Sequence, residues 1–557
     1  MEARKGGFHI WVMAVLAVTV LAVYANTLNG QFVFDDSRIY NNPSLRVTAL
    51  DWASLQQVVL KSAPATRPVA NLSFALNYYL HGYAVPGYHL VNVLIHLLTG
   101  VFLYWLLVDT MPLLPDRQSA WAAYPGGRGP YEWLAFFAAW LWSLHPVQTQ
   151  AVAYVVQRMS SLAAMFFILS LWLYVRGRLR NDRGRSMVFF AGSLLAGLLA
   201  IGCKESSATL PFFILLYEWY FLQDARPEWL RRNLPAVAMA AGIVLLLGLC
   251  YLGGDPLARI LEGYGGRDFS LAQRLLTEAR VVFFYLGLLL FPAPGRLNLD
   301  HDFPLSTSLV QPVTTLFAVA ALVGMVWLAC RTAKNHRLFS FAIIWFLGNL
   351  IIESSVVALE LVFEHRLYLP SMLLFVVVVA EVGRRLPPRR LQLGVVAGVG
   401  LAVALGFWTF ERNKVWHDRI SLWSDCAAKS PGLARPRNNL GVALKKEGRL
   451  QEAGEQFQAV IALDPTFVEA YNNLGNIMVD VGRGNEALAL YGKALALAPG
   501  NPVIHNNIGR LMIERRNYGR AMMHFAEALR LQPDFEEART NLLFARQLWL
   551  AGKGNDR

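Results

Sequence analysis

The sequence predicts an all-α protein in two parts: a polytopic bundle of membrane helices followed by an α-solenoid of helical repeats. Three observations predict it. Of 557 residues, 55% are hydrophobic and only 16% charged, against roughly 25% charged in an average soluble domain; the mean hydropathy is +0.37. Long apolar runs recur through residues 1–410. From residue 411 the chain turns polar and repeats itself every 34 residues.

A helix needs about 20 apolar residues to cross a bilayer. Runs of that character lie near 8–28, 88–108, 131–145, 151–175, 187–202, 207–222, 234–252, 311–330, 338–356, 367–383 and 391–410, and Pro146 separates the third from the fourth. Arginine is densest in RGRLRNDRGR (176–185), DARPEWLRR (224–232), RTAKNHR (331–337) and GRRLPPRR (383–390). Basic loops stay cytoplasmic, so an even number of spans must separate neighbouring clusters. Two clear spans lie between 232 and 331. The further run LLTEARVVFFYLGLLLFP (275–292) therefore reads as a re-entrant or interfacial helix, with Arg274 and Arg280 near its start. About eleven crossings follow, with the N-terminus cytoplasmic and the C-terminus outside. Val23-Tyr24-Ala25 is a weak signal-cleavage site, but the expectation is a retained first helix with Arg4 and Lys5 inside.

The net charge of +13 is distributed between apolar runs, where it sets topology; no basic face for nucleic acid is expected. Cys203, Cys250, Cys330 and Cys426 have neither metal-ligand nor disulfide-framework spacing. There is no P-loop, dinucleotide fingerprint, H-E-x-x-H or G-x-S-x-G. Ser160, Ser161, Ser206 and Ser207 read as helix-packing residues.

On the outer side, ionisable groups gather at span ends: Asp35 and Asp36, Arg67, His89, His145, Arg158, Lys204 with Glu205, and Glu364 with Arg366. One such residue can be a boundary residue; carboxylates, cations and imidazoles converging on one membrane face suit a reaction. If a sugar arrives on a lipid phosphate, the leaving group is an anion that Lys204, Arg158 or Arg366 stabilises. The acceptor hydroxyl needs a base, and Asp35 or Asp36 can serve. A free Asp, with a pKa of about 3.9, is a weak base; a like-charged neighbour and burial would raise it. No cofactor is required. A divalent cation on Asp35 and Asp36 is the alternative, although two carboxylates alone do not make a specific site.

In the second part, Pro431, Pro465, Pro499 and Pro533 are 34 apart. Gly441, Gly475 and Gly509 hold one position of the period, Ala453, Ala487 and Ala521 another, and Phe457, Tyr491 and Phe525 a third. Small residues where two helices touch, an aromatic in the gap and a terminating proline make the tetratricopeptide pattern. Full repeats are expected at 434–467, 468–501 and 502–535, after a half-repeat SLWSDCAAKSP (421–431) and before a closing helix near 535–549. Asn439, Asn473 and Asn507 recur once per repeat. They would hold an extended peptide by its backbone, or serve packing and capping.

The segments FVFDDSRIYNNPSLR, TRPVANLSFALNYYL, GYHLVNVLIHLLTGVF, LWSLHPVQTQAVAYVVQRMSSLAAMFFILSL, CKESSATLP and FEHRLYLPS resemble the transmembrane and tetratricopeptide-repeat-containing O-mannosyltransferases and their bacterial relatives. The resemblance spans most of 1–410 and is extended by the repeats. It implies a GT-C glycosyltransferase with a polyprenyl-phosphate sugar donor, an acidic pair in the first outer loop, here Asp35 and Asp36, and an exported protein acceptor. His89, His145, Arg158, Lys204, Glu205 and Arg366 lie in matching motifs. The short repeat array and the form VVQRMSS depart from the animal pattern, leaving sugar and acceptor open. Short loops and many arginines suit a bacterial inner membrane with a periplasmic site. The expectation is a membrane glycosyltransferase domain (1–410) that moves a sugar, mannose by resemblance, to Ser or Thr, with the repeats (411–557) recruiting the acceptor. Two alternatives stand beside it: a non-catalytic membrane-anchored scaffold for envelope assembly, and a transferase modifying a lipid-linked glycan.

Overall fold

The computed structural model describes residues 2–114, 129–385 and 390–555. Among these there is no β-strand, and the protein is an all-α membrane bundle followed by a tetratricopeptide solenoid. Two compact units divide it, Met1–Asp418 and Arg419–Arg557. The division falls after Asp418 rather than at residue 410. The last membrane helix runs on to Asn413, and the turn after it stacks Trp416 on Tyr154 at 5.2 Å, inside the first unit.

Each of the eleven apolar runs holds a helix. Among the described residues six helices are long and apolar enough to cross a membrane: Gly7–Asn29, Val85–Leu113, Val155–Arg178, Arg183–Ile201, Thr314–Thr332 and Gln392–Trp416. Val155–Arg178 is the most enclosed of them, so its polar residues face protein rather than lipid. Pro146 does break the third run from the fourth: it starts a 3-10 turn, Pro146–Gln148, after the helix Gly129–Ser143. Proline suits a first turn, where its missing N–H has no partner to lose.

The run at 275–292, read as re-entrant or interfacial, lies largely in a 20-residue helix, Leu271–Leu290. Ser270 and Gln273 cap its start reciprocally. Arg274, Thr277, Glu278, Val281, Tyr285 and Leu288 are buried along one stripe, while Leu275 and Leu290 on the rest of the surface are exposed. This is the three-to-four residue spacing of an amphipathic helix laid against a core, and here the buried stripe carries charge.

The second unit is three helical hairpins, Ala434–Lys446 with Leu450–Leu463, Val468–Asp480 with Gly484–Leu497, and Pro502–Glu514 with Tyr518–Leu531. Arg419–Lys429 precedes them and Glu536–Asn555 closes the stack. The repeat pattern acquires its physical reason here. A Cβ on Gly441, Gly475 or Gly509 would stand 2.6, 2.5 and 2.5 Å from the rings of Phe457, Tyr491 and Phe525. Each aromatic fills the space that the glycine vacates. Gly475→Val should therefore force the second hairpin apart, at a cost of about 1–3 kcal/mol from overpacking. Hydrogen exchange should show reduced amide protection across 468–497, with the membrane unit unchanged.

Candidate active site in the membrane unit

The sequence breaks two helices where the site needs polar groups. Arg183–Ile201 ends at Gly202, and the chain passes through Lys204 into the 3-10 turn Glu205–Thr209. Arg337–Leu350 ends before Glu353, and a 3-10 turn, Glu364–Leu367, presents His365 and Arg366. Arg67 precedes Pro68, the first residue of the next helix. Each cation thus sits at an element end with its backbone outside the apolar rod.

These ends converge. Lys204 Nζ lies 2.7 Å from Glu353 Oε1 and donates to Ser160 Oγ at 2.9 Å. Arg366 Nε is 3.5 Å from Glu353 Oε2, and its Nη1 is 3.8 Å from Glu278 Oε1. Arg274 Nη2 is 2.8 Å from the same Glu278 oxygen. The Arg274 guanidinium also donates to the carbonyls of Glu353 (2.7 Å) and Ser355 (3.0 Å), fixing the loop that carries Glu353. Burial raises the Glu353 carboxyl, but Lys204 and then Arg366 outweigh it and hold the pKa at about 2. Three cations therefore face two carboxylates, a net charge of +1. Beside them Arg67 chelates Glu205, with Nη2 2.9 Å from Oε2 and Nε within 3.2 Å of both oxygens. A recess of about 30 Å³, open to solvent, is lined by Ser160, Lys204, Asn349, Glu353, His365 and Arg366, among others. A buried cluster with surplus positive charge, opening on a hollow, is suited to an anion.

The acidic pair is built differently from its sequence expectation. Asp36 is fully buried; its Oδ2 accepts the Val33 N–H at 2.9 Å and its Oδ1 the Val156 N–H at 2.7 Å. Asp35 points its carboxylate to Arg38 at 2.9 Å and is 36% exposed, and its own N–H donates to Tyr154 Oη at 3.0 Å. The two carboxylates are thus engaged by different partners. Phe34, just before them, has φ 45, a left-handed conformation that costs a non-glycine residue about 1–3 kcal/mol and gathers at functional sites. Among the described residues no three His, Cys, Asp or Glu side chains gather as metal ligands would.

Lys204 and Arg366 line the recess, and the Arg67–Glu205 pair stands near enough for the Arg67 charge to act on Lys204. The other expected ligands do not line it. Arg158 is fully buried and donates to Asn92 Oδ1 (2.7 Å), the Ser73 carbonyl (3.1 Å) and the Tyr88 carbonyl (2.9 Å). It clamps three helices together. His145 caps the Pro146 turn, accepting the Val147 N–H, and contacts the Leu289 carbonyl through Nε2. Glu364 accepts the Asn298 N–H at 2.5 Å and lies 3.1 Å from His301 Nε2. His89 is buried against Gly30, where an added Cβ would stand 3.1 Å from its Nε2. In the repeats, Asn473 donates to Asn438 and Asn507 to Asn472, at 3.2 and 2.8 Å, and Asn541 continues the ladder to Asn506. Those amides bridge successive repeats. Asn439 is half-buried on the corresponding face.

Sequence reasoning missed Glu353, His365, Glu278 and the inward role of Arg274. A signal existed for some of them. Arg274 and Glu278 are an i,i+4 pair within an otherwise apolar stripe, and Glu353 ends an apolar run. Ser160, read as helix packing, accepts from Lys204 instead.

Family models described as TPR repeat and tetratricopeptide repeat match residues 441–482 and 478–543. Over both units together the chain is similar to curated proteins. It is 28% identical over 523 residues to protein O-mannosyl-transferase Tmtc3 of Drosophila melanogaster, covering 80% of this chain and 54% of that one. It is 25% identical to protein O-mannosyl-transferase F38B6.6 of Caenorhabditis elegans, over 82% of this chain and 63% of that one. It is also 25% identical to human protein O-mannosyl-transferase TMTC1, over 82% of this chain and 55% of that one. The chain thus spans little more than half the length of these relatives, and the names match the family its motifs resemble.

Removing one member of the buried ion cluster strands the other. Lys204→Met should destabilise the membrane unit by about 3–5 kcal/mol, because Glu353 is left charged without its closest partner. Lys204→Met combined with Glu353→Gln should recover most of that loss; thermal unfolding of the purified protein in detergent reads both. Glu353 titrates below the ordinary Glu value of about 4.3. Its stabilising contribution is therefore complete above that pH and lost as pH falls through about 2.

Proposed function

We propose that the membrane unit is an inverting glycosyltransferase that moves a hexose, mannose, from a polyprenyl-phosphate donor to the hydroxyl of Ser or Thr in an exported protein. The observation that carries this reading is the recess beside a buried ion cluster with surplus positive charge, walled by Lys204 and Arg366. The similarity to protein O-mannosyl-transferases supports the choice of sugar and acceptor. The donor is a phosphodiester with one negative charge; when the bond to the anomeric carbon breaks, the phosphate carries two. Cations already fixed by Glu353, Glu278 and backbone carbonyls stabilise that added charge without rearranging, which is how preorganised sites lower a barrier.

Asp35 is the base in this mechanism. Its carboxylate is partly exposed beside the strained Phe34, whereas both oxygens of Asp36 hold backbone N–H groups. Asp36 is accordingly the organiser of the loop. The site needs no metal in this scheme. The arginine clusters favour a cytoplasmic N-terminus, with the site and the repeats on the other side; in a bacterial cell that is the periplasmic face of the inner membrane. The repeats as a whole recruit the acceptor, since the amides of Asn473 and Asn507 are already bonded across the stack.

Two substitutions separate the roles. Asp35→Asn should retain the melting temperature and lose transfer to protein by about 10²–10⁴-fold, the usual worth of a positioned base. Asp36→Asn turns an acceptor into a donor facing a backbone N–H and should lower stability by about 1–3 kcal/mol. Transfer of radiolabelled mannose from short-chain prenyl phosphate in membranes is the readout. Full transfer by a folded Asp35→Asn protein overturns the assignment.

A further inference from the structure

Resting on the donor-phosphate reading of the recess, we propose that His365 is a further phosphate ligand and the residue that hands the leaving phosphate a proton. Its ring lines the recess beside Lys204 and Arg366 and is only 7% exposed. Its Nδ1 is buried and has no hydrogen-bond partner among the described residues. The ring is nonetheless held in place. The His365 backbone N–H donates to Gln150 Oε1 at 2.7 Å, fixing the chain there, and the imidazole centroid lies 5.1 Å from that of the Phe363 ring. A buried, unsatisfied polar atom on the wall of an anion-suited hollow is a cost that a ligand removes.

The surroundings set when that ring carries a proton. Burial first, then Lys204, with Arg366 and Arg67 adding to it, pushes the imidazole well below its ordinary value, against the opposing pull of Glu353. Further out, Glu205 is held on Arg67 and Glu278 faces Arg366. The ring is therefore neutral while the recess is empty. A phosphate entering among these groups adds negative charge next to the imidazole and favours its protonated form. Transfer then balances. The acceptor oxygen bonds to the anomeric carbon and gives its proton to Asp35. The electron pair of the broken carbon–oxygen bond goes to the phosphate. His365 passes a proton to a phosphate oxygen, so the product leaves with one negative charge rather than two. Asp35 then loses a proton to water and His365 regains one.

The test is binding of farnesyl methyl phosphate to the full chain in detergent, by calorimetry between pH 6 and 9. This probe is a phosphodiester whose own charge is constant over that range. In the unaltered protein the affinity should fall by about tenfold per pH unit as pH rises towards the bound-state pKa of His365, and level off above it. In His365→Gln and His365→Asn it should be flat, and Lys204→Met should weaken binding at every pH. A flat profile in the unaltered protein overturns the proposal even if neither variant folds. So does an unchanged slope in either folded variant, while the phosphate recess itself stands. If the unaltered protein binds no probe, or Lys204→Met in folded form binds it equally well, the recess reading fails and this inference fails with it.

Discussion

The membrane unit is organised around one electrostatic constraint: charges taken out of water must meet opposite charge or a fixed dipole. Lys204, Arg366 and Arg274 are all at most 12% exposed at the side chain, and so are Glu353 and Glu278. These five groups come from three separate stretches of chain, around 204, 274–278 and 353–366. None of these stretches can shift alone without exposing an unpaired charge to an apolar surrounding. The loop carrying Glu353 is held twice over, through its carboxylate by Lys204 and through its carbonyls by Arg274. The recess opens beside this network, whose cations outnumber its carboxylates by one.

The first outer loop obeys the same constraint by other means. Both oxygens of the buried Asp36 accept backbone N–H groups, one from its own turn and one from Val156. Such charge-assisted bonds are roughly twice as strong as neutral ones. They hold Phe34 in its left-handed conformation and turn Asp35 the other way, towards Arg38. Tyr154 ties the loop to the bundle, bonding the Asp35 N–H on one side and stacking on Trp416 on the other. One aspartate builds the loop, and its neighbour pairs with Arg38. Arg158 is structural in the same way, because three helices meet on its guanidinium, which also lies 4.6 Å from the Phe74 ring centre.

In the repeat unit the governing constraint is steric. Glycine faces an aromatic ring in each hairpin at a distance that no Cβ tolerates. Asparagines then bond from each repeat to the one before it at a separation of 35 residues. Repetition makes each interface a copy of the last, which is why a solenoid grows by addition.

The sequence by itself determined the apolar rods, the solenoid and its repeat boundaries, because these follow from local quantities: hydropathy summed over a span, and a fixed period of small and aromatic residues. It also marked Lys204, Glu205, Arg67 and Arg366 as residues of interest, since charge near an apolar run is conspicuous. It could not say that Arg158, His145 and Glu364 serve backbone and helix contacts, while Glu353 and His365 face the hollow. All five look alike in sequence, as polar residues at the ends or edges of apolar segments. Only the tertiary structure decided between them. Deciding partners lie far along the chain, Asn92 66 residues from Arg158 and Gln150 215 residues from His365. Which side of a chain break meets which is fixed by helix packing that no local pattern records.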